Sequence, residues 1–171
     1  ALFVARRLQD LGLENNYRCY LTLLDWEKAF DKIDQEAIVS ALNRLNIPTK
    51  YINVIKGIYK SSKFKVVPTA GDSTTRHQDS GIRQGCPLSP YLFAIAMSVV
   101  MHDIQQRVGT QLKHGQLKDF PFSELLYAGD ALLICKNAMT TNIYLRQINE
   151  ESEKYNMKFN NNNKCESLVF N

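Results

Sequence analysis

Two patterns of apolar positions divide the chain into helices and strands. Apolar residues at helical spacing, together with helix start and stop signals, mark five segments. The predicted helices cover residues 1–14, 34–45, 49–60, 91–107 and 140–155. Asp34 suits the N-cap of the second helix, and Pro48 separates that helix from the third.

Shorter apolar runs bounded by Gly, Pro and polar residues predict the strands. They cover residues 17–24, 64–68, 74–78, 123–126, 131–135 and 167–170. The first strand delivers Asp25 at its C-terminal end, and two hairpins are predicted, one around the turn-rich residues 69–73 and one with Ala128 and Gly129 at its turn. Strands and helices interleave without repeats, so we expect an α+β architecture with helices packed on one face of a mostly antiparallel sheet.

The composition is that of one globular domain. With 171 residues, 44% of them hydrophobic, the chain can bury a substantial core, and we expect residues 1–171 to form a single domain. Both ends lie inside predicted elements and no initiator Met is present, which predicts a fragment of a longer protein. The net charge of +4 is compatible with a polyanionic partner but is too small to indicate one alone.

The cysteine, histidine and hydropathy patterns exclude several classes of protein. Four Cys without C-x-x-C spacing and three scattered His predict neither a zinc site nor a disulfide-stapled secreted scaffold. No run reaches the about 18 apolar residues that span a bilayer, and no signal-peptide pattern begins the chain. We therefore expect an intracellular protein without a membrane partner.

Three segments carry residue types suited to chemistry, and each also has a purely structural interpretation. The cluster at 25–31 places acidic residues after a buried strand, although an Asp at a strand end is more often a turn or cap residue. The loop at 81–90 combines two Gly and two Pro with Arg83 and Gln84, which suits either a substrate-facing loop or a rigid connector. The hairpin at 124–135 has Gly-Asp at its turn, as ordinary hairpins do.

Taken together and in order, these segments resemble reverse transcriptases, specifically those of non-LTR (LINE-like) retrotransposons. The matching segments are LDWEKAFD at 24–31, GIRQGCPLSPYLF at 81–93 and YAGD at 127–130. The similarity runs from about residue 1 to the C-terminus. It implies a right-hand polymerase palm, with an antiparallel sheet backed by helices, a partial fingers segment and no thumb. The missing fingers and thumb, and an endonuclease region, would belong to the parent protein, with a nuclear location for a eukaryotic retroelement.

The resemblance implies RNA-directed DNA synthesis. An RNA template, a DNA primer and a dNTP are the implied partners, and two Mg²⁺ ions, or Mn²⁺ in their place, are the implied cofactors. One ion would lower the pKa of the primer hydroxyl while the other neutralises charge on the triphosphate. Mg²⁺ prefers oxygen ligands, and the resemblance gives the catalytic and metal-binding roles to Asp25 and Asp130.

Around Asp25, the resemblance assigns roles to the residues that follow it. The backbone carbonyl of Trp26 would join Asp25 at the metal, and the backbone amides of Lys28 and Ala29 would face the triphosphate. Phe30 falls at the steric-gate position, where a bulky ring excludes a ribose 2′-hydroxyl. An ordinary core Phe is the other interpretation of Phe30.

The other two segments supply further contacts with the substrates. Gln84 and Gly85 match the loop that touches the incoming nucleotide and its template base, and Tyr127 joins the nucleotide-binding set. Arg83 has two open interpretations, a contact with backbone phosphate or an ion pair with a nearby acid. Lys164 resembles a Lys that protonates pyrophosphate, although the Asn run places one residue too many before it.

Position 129 departs from the family pattern. The family has Tyr-Ala-Asp-Asp where this chain has Gly129, so one bridging carboxylate is missing, and we expect Asp130 to point elsewhere on the hairpin. Loss of one catalytic group commonly costs several orders of magnitude in rate, so impaired activity is predicted. A decayed copy, a changed active enzyme and a catalytically inactive nucleic-acid-binding remnant are the alternatives, and decay is favoured because no compensating acid matches a ligand position.

Overall fold

The computed structural model describes residues 2–15, 18–60, 62–65, 74–117, 123–160 and 165–170. Helices and strands are interleaved along these segments. The helices are α1 (Leu2–Asn15), α2 (Ala29–Lys32), α3 (Gln35–Arg44), α4 (Thr49–Lys60), α5 (Ser89–His114) and α6 (Ala138–Glu153). The strands are β1 (Cys19–Asp25), β2 (Lys63–Phe64), β3 (Arg76–His77), β4 (Glu124–Tyr127), β5 (Asp130–Cys135) and β6 (Glu166–Phe170).

Four strands form an antiparallel sheet in the order β4-β5-β1-β6. Side chains alternate between its two faces, because successive residues of a strand project in opposite directions. Leu24 and Leu133 lie on one face and join the main hydrophobic core, to which α3, α4, α5 and α6 contribute. This arrangement confirms the predicted α+β fold with a sheet backed by helices.

The other face of the sheet is covered only in part. Leu21 of β1 lies directly opposite Ile134 of β5, and both are buried with Leu8 of α1 and Leu117 in a second, smaller cluster. The expectation that helices pack on one face alone is therefore wrong for α1. Towards the end of β1 that carries Asp25, this face is more open, and Leu23 is 43% exposed. The candidate site lies at this open end.

The longest helix, α5, passes through the main core. It covers 26 residues, with Pro90 in its first turn and Gly115 at its C-cap, and is longer than the predicted 91–107. One broad face of its centre is buried, as Ala96, Val100 and Ile104 show, while Ser98 and His102 are exposed on the other side. Only part of the last turns packs on the core, so several residues after position 107 are polar. The apolar pattern of the sequence therefore does not indicate that the helix continues beyond this position.

Local signals explain several other boundaries. The Asp34 side chain accepts a hydrogen bond from the Ala37 amide at 2.7 Å, which confirms the predicted N-cap of α3. The pairing of β2 with β3 confirms the first hairpin, while residues 66–73, including its predicted turn, lie outside the described residues. No described helix is both long and apolar enough to cross a membrane.

Candidate active site

Asp25 and Asp130 meet at the end of the central strand pair. The two residues are directly opposite each other in the antiparallel register of β1 and β5. Opposed residues of such a pair project to the same face, with Cβ atoms about 4.5–5.5 Å apart. This register corrects the expectation that Asp130 points elsewhere on the hairpin. Asp25 is half-buried and Asp130 is exposed, so the pair opens to solvent at the edge of the core.

Asn160 holds the Asp25 side chain from the other direction. Its side-chain Nδ2 donates to Asp25 Oδ2 at 3.0 Å, and its backbone N–H donates to the Asp25 carbonyl at 2.9 Å. The preceding residue, Phe159, forms a β-bridge with Trp26. An amide donor on a carboxylate fixes the orientation of that carboxylate. The sequence did not indicate this role for Asn160, because the contact joins residues that are 135 positions apart in the chain.

The turn between β4 and β5 does not need a glycine at position 129. Ala128 takes the left-handed conformation, with φ of 49°, whereas Gly129 is not among the glycines with positive φ. A Cβ at Gly129 would have the Ala29 Cβ, at 3.9 Å, as its nearest neighbour, which is ordinary van der Waals contact. The Gly129 carbonyl accepts the Trp26 amide at 3.4 Å. The backbone at position 129 therefore allows a residue with a side chain, and there is space for its Cβ atom.

Tyr127 lies opposite Asp130 across the same turn. The register pairs the two residues, so their side chains share the face that carries Asp25. The Tyr127 ring is 81% exposed and therefore free of the core. Within the described residues, Asp25, Asp130 and Tyr127 thus lie together at one corner of the sheet, where Asp25 is half-buried and the other two are exposed.

The segment after Asp25 turns sharply into the short helix α2. The Trp26 side chain is buried in the main core, where it donates from Nε1 to Ser152 Oγ at 3.2 Å and packs on Phe159. Lys28 has φ of 50°, a left-handed conformation, and its side chain is exposed. Ala29 is buried below it. The left-handed Lys28 makes α2 possible directly after the strand, which the sequence pattern did not predict.

Phe30 combines features of both of its interpretations. Its ring stacks on Phe93 of α5, with centroids 4.8 Å apart and planes at 17°. The ring is only half-buried and packs against the main core from outside. Phe93 therefore supports Phe30 in one position while part of the ring remains exposed.

The loop before α5 packs directly on α2. Gly81 has φ of 76°, and a Cβ there would lie 2.5 Å from the Asp31 carbonyl oxygen, so only glycine fits. The Ile82 amide donates to the Phe30 carbonyl at 2.7 Å. Gln84 Nε2 donates to Asp31 Oδ1 at 3.0 Å. These contacts bring Gln84 to the segment that contains Phe30.

Gly85 and Arg83 have different structural roles in this loop. Gly85 has φ of 81° and no atom within 4 Å of a Cβ position, so conformation rather than space requires it. Arg83 donates from Nε to Ser62 Oγ at 3.0 Å and from a terminal nitrogen to the Ile58 carbonyl at 3.3 Å. In the described part of the chain, its hydrogen bonds thus go to a hydroxyl and a carbonyl instead of a carboxylate.

The donor set at the corner fits a hard cation. Two carboxylates that face the same side suit Mg²⁺, which proteins often bind through one or two carboxylates together with substrate phosphates. No group of three or more His, Cys, Asp or Glu among the described residues could hold a metal ion, so Asp25 and Asp130 stand without a third such ligand there. Lys164 lies outside the described residues.

Comparisons with known proteins match most of the chain. A family model described as reverse transcriptase (RNA-dependent DNA polymerase) matches residues 5–169. The chain is 29% identical over 117 residues to a retrovirus-related Pol polyprotein from a type-1 retrotransposable element R2 of Nasonia vitripennis, and 31% identical over 115 residues to that of Popillia japonica. These matches cover 68% and 67% of this chain but only 11% and 16% of the relatives, so the chain spans a small part of their length.

Solved structures share the fold. A telomerase structure from Candida tropicalis superposes with a TM-score of 0.70 over 99% of this chain and 29% of that chain, at 18% identity. One from Candida albicans gives 0.67 over 100% of this chain and 30% of that chain, at 14% identity. The chain belongs to the reverse transcriptase family, of the non-LTR retrotransposon type.

Proposed function

We propose that this chain is the palm, with part of the fingers, of a longer reverse transcriptase that extends a DNA primer on an RNA template, and that Gly129 impairs it. The observation that carries this proposal is the pairing of Asp25 with Asp130 beside Gly129 at an exposed corner. Fingers, thumb and an endonuclease region would come from the rest of that protein, which we place in the nucleus of its host cell.

Asp25 and Asp130 would hold Mg²⁺, with the Trp26 carbonyl beside them. Bound there, the metal would supply positive charge to the primer hydroxyl and the triphosphate, and Mn²⁺ could replace it. Asn160 keeps the Asp25 carboxylate oriented towards that position through its 3.0 Å hydrogen bond. The two-ion form of this site needs the carboxylate that Gly129 lacks.

The remaining proposed roles concern contacts with the incoming nucleotide, the template base and the primer. The Lys28 and Ala29 amides would bind the triphosphate, and the exposed part of the Phe30 ring would lie against the sugar. Gln84 and Gly85 would contact the incoming nucleotide and its template base. Tyr127, exposed on the face that carries Asp25, would contact the end of the primer or the nucleotide.

The missing carboxylate at position 129 is the reason why we expect slower synthesis. A carboxylate shared between two dications offsets their mutual repulsion, and its removal lowers their affinity and misplaces the reacting groups. The space for a Cβ at Gly129 supports the expectation that the backbone would accept a change to Asp. The loss would then be one of chemistry and not of fold.

Primer extension tests the proposal. The full-length protein, with position 129 either native or changed to Asp, is given a poly(rA) template, an oligo(dT) primer, dTTP and Mg²⁺. Restored synthesis by Gly129→Asp supports a damaged polymerase. The full-length protein is required because fingers and thumb contribute to template binding in a right-hand polymerase.

A second candidate function is a catalytically inactive remnant that binds nucleic acid. Gly129 itself favours it, because a chain that no longer polymerises does not need that carboxylate. Such a remnant would hold an RNA-containing duplex through phosphate and 2′-hydroxyl contacts. In this case both versions fail to extend the primer, whereas salt-sensitive RNA binding persists.

A further inference from the structure

A cavity of about 280 Å³ lies between α3 and α4. To its lining α3 contributes Gln35, Ile38 and Val39, and α4 contributes Ile55 and Tyr59. None of its described lining residues is among those proposed to bind metal or nucleotide. The volume is slightly below the usual range of sites for drug-sized ligands, so the cavity suits a compact molecule.

The enclosed part of this cavity is mainly apolar. Ile38, Val39 and Ile55 are buried and belong to the main hydrophobic core. The charged residues of the lining are exposed and carry both signs, and they are Glu36, Lys56 and Lys60. Their charged groups can therefore remain in water, whereas a charge placed among the aliphatic side chains would lose its hydration. The lining favours an uncharged and largely apolar occupant.

Tyr59 adds a polar group to this apolar lining. Its side chain is only 7% exposed, and its hydroxyl is buried without a hydrogen-bond partner among the described residues. Such a group is uncommon, because a buried Tyr hydroxyl usually finds a partner. A carbonyl oxygen has no proton to donate and accepts readily, so it would complement the Tyr59 O–H.

Both helices that line the cavity also hold the loop before α5. Gln35 Nε2 donates to the Gly81 carbonyl at 3.0 Å and to the Gln78 carbonyl at 3.5 Å. From the same loop, Arg83 donates to the Ile58 carbonyl of α4 at 3.3 Å. Because Gln35 lines the cavity as well, an occupant would lie against the side chain that fixes Gly81.

We propose that this cavity binds a compact, uncharged, largely apolar molecule whose carbonyl oxygen accepts a hydrogen bond from the Tyr59 hydroxyl. The aliphatic side chains of α3 and α4 enclose the body of this molecule. Its contact with Gln35 changes the environment of Gly81, so the occupied cavity acts on the loop before α5. The site is independent of the proposed chemistry at Asp25 and Asp130.

Two probes of matched shape test the binding. 1-Indanone and indane differ only in that a carbonyl of the first is a methylene of the second. Spectra of Ile δ1 methyl groups in the 171-residue chain should show the Ile38 and Ile55 signals moving during titration with 1-indanone. Ile104, a core residue outside the cavity lining, should not respond. No movement of Ile38 and Ile55 up to the solubility limit of both probes, or equal movement of Ile104, overturns the proposal.

Tyr59→Phe removes the hydroxyl and keeps the ring. The ratio of the indane Kd to the 1-indanone Kd should fall about fivefold in this variant, because one hydrogen bond to the carbonyl is lost. Tyr51→Phe is the matched control on α4, at a 53% exposed position outside the cavity lining, and should leave the ratio unchanged. The same ratio in the native chain and in Tyr59→Phe would contradict the hydrogen bond.

The stability of Tyr59→Phe without any probe is a second measurement. A hydroxyl that has no partner loses no hydrogen bond when it is removed, so the urea midpoint of unfolding should stay the same or rise. A lower midpoint would show that the fold already satisfies the Tyr59 hydroxyl. That result would overturn the assignment of a ligand acceptor to this group.

Backbone amide signals test the contact with the loop. The Gly81 amide should shift on saturation with 1-indanone, while the amide of Gly109, in the second half of α5, should not. In Gln35→Ala, 1-indanone should still move the Ile55 methyl signal but no longer the Gly81 amide. An unresponsive Gly81 in the native chain, or an equal response in Gln35→Ala, would overturn transmission through Gln35. These readouts involve no synthesis, so they do not depend on the proposed function.

Discussion

Asp25 and Asp130 lie directly opposite each other at the last pair of the β1–β5 ladder. Gly129, one residue before Asp130, lies where the resemblance to reverse transcriptases implies a carboxylate. The fold places two acids on one face and leaves space for a Cβ at position 129. Substitutions at this position can therefore test whether the proposed metal site needs a third carboxylate.

Replacement by Ala should have very different effects on stability at two of the glycines. Gly129→Ala should change the free energy of unfolding by no more than about 1 kcal/mol, since its φ is not positive and a Cβ there has ordinary contacts. Gly81→Ala should cost more than about 3 kcal/mol, because φ is 76° and the Cβ would strike the Asp31 carbonyl. Urea unfolding measures both. Equal losses would show that the turn around Gly129 is more constrained than described.

Asn160 should affect the rate of synthesis through Asp25. In the Gly129→Asp protein, Asn160→Ala should lower kcat about tenfold, because the half-buried hydrogen bond to the Asp25 carboxylate is lost. Asn149→Ala, which removes an amide donor to Glu153 on α6, serves as the control and should not change kcat. Single-turnover primer extension separates this effect from template binding. An unchanged kcat after Asn160→Ala would show that Asp25 needs no such support.

Asp31 should act through Gln84. In the Gly129→Asp protein, Asp31→Ala should raise the KM for dTTP about fivefold, since Gln84 Nε2 loses its 3.0 Å acceptor and the side chain is no longer held. In a Gln84→Ala background, the same change should have little further effect. Additive effects in this double-mutant cycle would mean that the two residues act independently.

The Cys86 thiol should be alkylated at a lower pH than the buried thiols of Cys19 and Cys135. Hydrogen bonds from the Leu88 and Ser89 backbone lower the pKa of Cys86, and a lower pKa gives more reactive thiolate at a given pH. Burial raises the pKa of Cys19 to about 11 and also raises that of Cys135. Peptide mapping after iodoacetamide treatment between pH 6 and 9 measures each rate. Faster alkylation of Cys19 in the folded chain would contradict this order.

The sequence predicted the parts of the fold that depend on local signals. Asp34 caps α3 through its own first turn, and the apolar run before Asp25 forms the central strand. The paired hairpin at position 129 follows from turn residues between two apolar runs. Each of these features depends on residues that are close together in the chain, so the sequence pattern alone can indicate it.

The features that were missed depend on distant contacts. Asn160 reaches Asp25 across 135 positions, and Arg83 is held by the end of α4, which no spacing rule indicates. The position of Asp130 depends on the register between β1 and β5, and a shift of one residue would place it on the other face. Such relationships arise only when the sheet has been assembled.

The rates of primer extension by two full-length variants at position 129 show whether a missing carboxylate limits synthesis. Gly129→Asp and Gly129→Asn have nearly equal size, and only the first restores a negative charge beside Asp25 and Asp130. We expect synthesis at least about a hundredfold faster than native for Gly129→Asp, and no comparable gain for Gly129→Asn. Equal rates for the two variants, or a native rate that already equals that of Gly129→Asp, would contradict the claim that a missing carboxylate limits this polymerase.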